Sequence, residues 1–270
     1  MQLEKNVSTC SFDPDDIERI SDSVCTMTGA KPQIVHKTLS DRTFDHLRDL
    51  IVRGRMAPGT RVVEADVALQ FGVSRTPVRE AMARLIQEGY LTPVSASRRT
   101  EVVIAPLNIE SVRELWGLIG ALEAFAVETA ASLPTPRRVR LADDLERLNT
   151  ELRTASQARP RDPDKLFKLQ TAFHTRFVLD SAGLYLTRGY ERIRPQVQRY
   201  EWVFGTRLSS EYEPSTKEHF RIIAAIRSGE PATARDAVLA HWSRAAVRII
   251  ATLESISASP GPRRKPRQMK

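Results

Sequence analysis

The stretch EADVALQFGVSRTPVREAMARL, residues 64–85, narrows the possible folds more than any other part of the chain. Two short runs with apolar residues at helical spacing meet at Gly72–Val73, a connection that leaves room only for a tight corner between helices. Ser74 is a residue type favoured at a helix N-cap, and Pro77 stands in the first turn, where a missing N–H costs little. Val78, Met82 and Leu85 make one stripe of the second helix, while Arg75 and Arg79, four residues apart, project together from another side.

The flanking segments extend this into a domain. LSDRTFDHLRDLIVRG places Leu39, Phe44, Leu47, Leu50 and Ile51 on one helical face and ends at Gly54, APGTRV reads as a turn, and YLTPVSASRRTEVVIAPL reads as two short strands around a polar tip with Arg98 and Arg99. Helix, helix, turn, helix and hairpin over 31–107 make a winged helix-turn-helix. From 108 to 255 only helical patterns occur, six or so, including one over 184–208 that contains Pro195 and two over 215–228 and 231–255 joined by SGEP. The expected fold is therefore mostly α, a winged helix-turn-helix followed by an all-helical bundle, between a polar tail (1–30) and a basic one (256–270).

The net charge of +8 and the isoelectric point near 9.8 favour a polyanionic partner. Five of those charges sit in the last ten residues, GPRRKPRQMK, and without them the balance falls to +3, so the placement of the arginines matters more than their number. Cys10 and Cys25 form no metal or disulfide ladder, and the N-terminus has an acidic run in place of an apolar signal core, which points to the cytoplasm. The most apolar run, LWGLIGALEAFAVETAA, is interrupted by Glu123 and Glu128, so no membrane partner is expected.

In a helix-turn-helix the second helix aims its N-terminal residues at base edges. Arg75 and Arg79 carry the fork that matches guanine, while Ser74, Thr76 and the helix N-terminus suit phosphate. This surface predicts duplex DNA as a partner. In the bundle, His219 lies eleven residues before position 230 and His241 eleven after it, so an antiparallel hairpin there puts them at equal height. His174 shares a face with Gln170, one turn earlier. Imidazoles from three helices suit a divalent ion of the Zn²⁺ or Ni²⁺ type. Scattered buried histidines remain the alternative.

PGTRV, SRTPVREA and LIQEGYL stand where the DNA-binding domain of the GntR-family bacterial transcription regulators has its motifs, and the chain resembles that family over about 75 residues. The bundle, with ESVRELWGLIGALEAFAVETAA, FH and EHFRIIAAIRSGEPATARDAVLAHW, resembles the FCD effector domain of the FadR branch. The resemblance implies base contacts from Arg75 and Arg79, phosphate contacts from Ser74 and Thr76, a wing over about 92–104, a homodimer, and a metal held by an aspartate and three histidines. Here the histidines are His174, His219 and His241, and Gln170 occupies the aspartate position. Three further departures are Thr100 where the wing usually has glycine, Ile119 where an effector-clamping arginine is common, and Leu184 in place of asparagine. A less acidic or more apolar effector is expected, with Arg176 or Arg194 as a substitute clamp.

The expected function is a ligand-responsive regulator that is not an enzyme and binds a near-palindromic operator as a dimer. Two other readings stand beside it. One is a metal-dependent hydrolase fused to a DNA-binding module, although no HExxH, nucleophile elbow or phosphate loop occurs. The other is a DNA-binding protein that responds to no effector.

Overall fold

The structure is a computed structural model that describes residues 37–96, 99–205 and 212–258. The expected tails, 1–30 and 256–270 apart from the last turn of the final helix, lie outside the described residues, as do Arg98 and the side chain of Arg99.

Helix α1 (Leu39–Val52) starts at a reciprocal cap, in which Thr38 Oγ1 accepts from Asp41 N and Asp41 Oδ2 accepts from Thr38 N, both at 3.1 Å. It buries Phe44, Leu47, Leu50 and Ile51. Leu39, expected on the same face, is 47% exposed because it is the first residue of the helix and overhangs the core. Strand β1 (Arg61–Val62) follows, then α2 (Glu64–Phe71), α3 (Arg75–Gln87), β2 (Leu91–Ala96) and β3 (Arg99–Ile104). The sheet is antiparallel in the order β1-β3-β2. The expectation that APGTRV is only a turn needs correction, since Arg61 and Val62 pair with Val103 and Val102. Two residues are too few to show a period of two.

Gly72 closes α2 with φ 64°, a left-handed conformation that glycine adopts without a Cβ penalty, and so sets the corner between α2 and α3. Val78, Ala81, Met82 and Leu85 of α3 are almost fully buried in one core with Phe44, Leu47 and Ile51. Ser74 occupies the N-cap position, yet its hydroxyl makes no capping hydrogen bond. The wing forms without the usual glycine, as Thr100 lies opposite Ser95 in regular pairing.

The bundle consists of α4 (Ile109–Ala131), α5 (Thr135–Gln157), α6 (Pro163–Ser181), α7 (Leu184–Gly205), α8 (Tyr212–Ser228) and α9 (Pro231–Ala258). Central α4 touches α6, α7, α8 and α9. A Cβ on Gly120 would stand 3.2 Å from Trp242 Cβ, so the bare Cα lets α9 approach α4 closely. That approach brings Trp242 against Glu123. Helix α7 continues through Pro195, and α9 extends three residues past the expected end of the bundle. No helix among the described residues is long and apolar enough to cross a membrane.

One side of α7 packs into the bundle and the other grips the winged helix. Gln196 Nε2 donates to Glu88 O at 2.6 Å and Arg199 Nη2 to Ala105 O at 2.8 Å. Trp202 meets Phe167 edge-on at 5.0 Å and lies 3.4 Å from where a Cβ on Gly54 would be.

Candidate functional site

On the winged helix, Ser74, Arg75, Thr76 and Arg79 are all exposed at the start of α3, on the side away from the buried stripe. Arg75 engages no other described residue through its guanidinium. Arg79, 70% exposed, pairs with Glu64 of α2, its Nε 3.3 Å from each carboxylate oxygen and its Nη2 3.2 Å from Oε2. The surface offers forked cations and unbonded hydroxyls together at a helix N-terminus, which suits an anionic duplex.

In the bundle the structure brings His174 of α6, His219 of α8 and His241 of α9 together. Their ring centroids are 4.8–5.2 Å apart, and one ligand nitrogen from each lies within 4.8 Å of the others. All three residues are buried. Each ring is held from behind by an acceptor on its Nδ1: Glu123 Oε2 for His174 at 2.8 Å, Asn149 Oδ1 for His219 at 2.9 Å, and Glu218 Oε2 for His241 at 2.8 Å. With the proton on Nδ1, every Nε2 carries a lone pair. His219 Nε2 and His241 Nε2 are buried without a partner, and His174 Nε2 accepts only from Gln170 Nε2, at 3.1 Å.

The three holders are themselves held. Asn149 Nδ2 donates to Thr216 O at 2.9 Å, which orients its amide oxygen toward His219. Phe173 stacks on the His219 ring at 3.9 Å. Glu218 meets Arg248 at 3.2 Å, and Glu123 Oε2 accepts from Trp242 Nε1 at 2.8 Å. Burial pushes the Glu123 carboxyl up to about 7, against the pull of Arg194 and the Trp242 hydrogen bond. Burial holds His174 and His219 well below the ordinary histidine range, with Arg194 and His241 adding to the effect on His174 and His241 and His174 adding to it on His219. Both rings are neutral at physiological pH, the state in which imidazole binds metal.

A cleft of about 80 Å³ opens beside the cluster, lined by Trp116, Gln170, His241, Trp242, Arg248 and Ile249 among others. It has room for about five to eight waters, at about 10–15 Å³ each. Neither arginine expected to clamp an effector lines it. Arg176 points outward, paired with Asp144 at 2.8 Å and Asp180 at 3.3 Å. Arg194 is buried and pairs with Glu201 at 3.0 Å, its guanidinium 5.7 Å from the Trp242 ring. The arginine on the cleft wall is Arg248, seven residues after His241 and so on the same face of α9, a spacing legible in the sequence. Glu123 carried no such signal, because only packing shows that it backs His174.

The family model for bacterial regulatory proteins of the gntR family matches residues 39–98, and the FCD domain model matches residues 114–244. The chain belongs to the GntR family and carries an FCD domain. It is a DNA-binding transcriptional regulator of the GntR/FCD type. The HTH-type transcriptional regulator YdhC of Bacillus subtilis is 27% identical over 200 residues, 74% of this chain and 86% of YdhC. The Nta operon transcriptional regulator of Aminobacter aminovorans is 28% identical over 186 residues, 68% of this GntR-family chain and 81% of the relative. Among solved structures, McbR/YncC of E. coli superposes with a TM-score of 0.64 at 18% identity, covering 80% of this chain and 99% of the other. A putative GntR transcriptional regulator from Rhodococcus superposes with a TM-score of 0.62 at 20% identity, covering 78% and 97%. At these identities the structural likeness speaks for the fold alone.

Proposed function

We propose that this chain is an effector-responsive regulator that binds a near-palindromic operator as a homodimer and holds a divalent ion, Zn²⁺ or Ni²⁺, on His174, His219 and His241. The observation that carries the metal assignment is the shared tautomer: three buried rings, each with Nδ1 engaged and Nε2 left as the acceptor, bring ligand nitrogens within 4.8 Å of one another. Two buried acceptors without a donor, His219 Nε2 and His241 Nε2, are costly, and an ion would remove that cost. Three nitrogens each about 2.0–2.1 Å from one ion lie about 3.4–3.6 Å from one another, so from separations of up to 4.8 Å the rings would close by about an ångström to hold it. Gln170 lies within reach, and its buried Oε1 has no partner. Turning the amide over offers a neutral oxygen in place of the family's carboxylate. When bound, the ion supplies a positive anchor for one oxygen of the effector. Glu123, Asn149 and Glu218 hold the rings.

The effector site of this reading is the adjoining cleft. Its Trp116 and Ile249 walls favour a small, partly apolar molecule, Glu201 on the rim disfavours a polyacid, and Arg248 is the cation within reach. Helix α7 links this site to DNA. It carries Arg194 beside Glu123, and Gln196, Arg199 and Trp202 against the winged helix, a rigid route for a coupling of about 1–3 kcal/mol. A second copy docks on α4, where Leu118 and Phe125 are 44% and 63% exposed at helical spacing around half-buried Leu122.

Elemental analysis of the purified chain, with thermal unfolding at graded Zn²⁺ and Ni²⁺, tests the metal site. The expected result is about one ion per chain and a stabilisation that His219→Ala abolishes while the winged helix stays folded. A parent chain without metal, or an unchanged variant, refutes it. The hydrolase reading gains nothing, because Glu218, the acid nearest in sequence to His219, is committed to His241 and Arg248.

A further inference from the structure

Arg75 and Arg79 leave α3 one turn apart, yet in different states. Arg75 is free among the described residues, whereas Arg79 lies along Glu64 with Nε and Nη2 facing the carboxylate at 3.2–3.3 Å. We propose that Glu64 is a specificity-determining residue, which holds Arg79 side-on so that the far end of its guanidinium is offered to a guanine edge. The inference rests on the assignment of α3 to the DNA groove.

Arginine has five N–H groups, and a side-on pair of this kind takes the Nε hydrogen and one on Nη2. Both Nη1 hydrogens and the second on Nη2 remain, and they form the end-on fork that spans guanine O6 and N7. A long side chain already held in place loses less rotamer freedom on docking than a free one. Glu64 is well placed to hold it. It stands in the first turn of α2, where the helix N-terminus favours its charge, and the Gly72 corner ties α2 to α3. Arg79 is 70% and Glu64 35% exposed, and pairs in water contribute little to folding, so the pair calls for a role other than stability.

The carboxylate has a second, opposite effect. Near a duplex it repels phosphate, which weakens binding to every sequence alike. A positioning role therefore has a signature that neither simple repulsion nor a structural role reproduces: removing Glu64 lowers discrimination without lowering affinity for arbitrary DNA.

The test selects bound sequences from a random duplex library with the full chain and compares wild type, E64A, E64Q, R79A and the E64A/R79A double variant. E64Q keeps the shape of the side chain, so the comparison survives if E64A folds poorly. Both Glu64 variants are expected to relax preference at the base pair that R79A relaxes, by about fivefold or more, against the roughly 5- to 150-fold that a good bidentate pair supplies. Their affinity for random duplex holds or rises, while that of R79A falls. In the R79A background E64A changes no preference. Unchanged preference, preference lost evenly at all positions, or sharper preference with tighter binding overturns the proposal, the last because it makes Glu64 a competitor of DNA. A wild-type chain that enriches no sequence overturns the groove assignment itself, and is distinguished by that.

Discussion

Replacing Glu123 by glutamine separates the metal site from the fold. Glu123 is fully buried, and one of its oxygens accepts from both His174 Nδ1 and Trp242 Nε1 at 2.8 Å. Its carboxyl is raised from 4.5 to about 7, so ionisation inside the protein costs about 3 kcal/mol more than in the unfolded chain. The sign follows from linkage. Between 4.5 and about 7 the unfolded chain has released this proton and the folded chain has not, so the stability present below 4.5 declines as pH rises toward 7. Glutamine does not titrate. Its carbonyl oxygen can take both donors, and its NH₂ then stands where Oε1 has no hydrogen-bond partner, a cost of about 1–3 kcal/mol. Glu123→Gln should therefore be less stable than wild type by about that amount at pH 4.5 and should match or exceed it at pH 7, a swing of about 3 kcal/mol. Denaturant unfolding of chelator-stripped protein at several pH values measures it. In a competition titration at pH 8, where Glu123 is ionised, the same variant should bind Zn²⁺ about 10–100-fold more weakly, because a neutral amide oxygen raises the basicity of the His174 ring less than a carboxylate does. A stability difference that does not vary with pH, or wild-type metal affinity, refutes the argument.

Arg75→Ala should cost about 1–3 kcal/mol at the preferred operator and relax base preference there, as read in a binding titration at fixed salt. An equal loss on random duplex would reassign Arg75 to phosphate. Gln170→Asp should tighten metal binding by restoring a charged oxygen ligand, and equal affinity in chelator competition would place position 170 outside the coordination shell. Phe125→Glu should give monomers in sedimentation at concentrations where wild type is dimeric, with metal binding retained. Dimers that persist would move the interface off α4.

The elements that sequence reading located are those with local causes. Val78, Met82 and Leu85 repeat at helical spacing, and Gly72 marks the corner, so α2 and α3 could be placed without tertiary information. The histidine pair on α8 and α9 was legible because a hairpin at 229–230 makes equal spacing from the turn into equal height. Strand β1 was not legible, since its two residues are strand only by virtue of pairing with β3, some forty residues away.

What the chain's order of residues determines by itself is the inventory: a helix-turn-helix bearing two arginines, six helical segments, and three histidines on inward faces. Which nitrogen of each histidine is available was decided by the tertiary structure alone. Glu123 reaches His174 across 51 residues, Asn149 reaches His219 across 70, and the close approach at Gly120 brings α9 to both. The same holds for the arginines, because outward Arg176 and core-bound Arg194 look alike as letters until packing separates them. Periodicity is a property of neighbours along the chain, whereas a hydrogen-bond partner is a property of neighbours in space, and only folding brings the latter together.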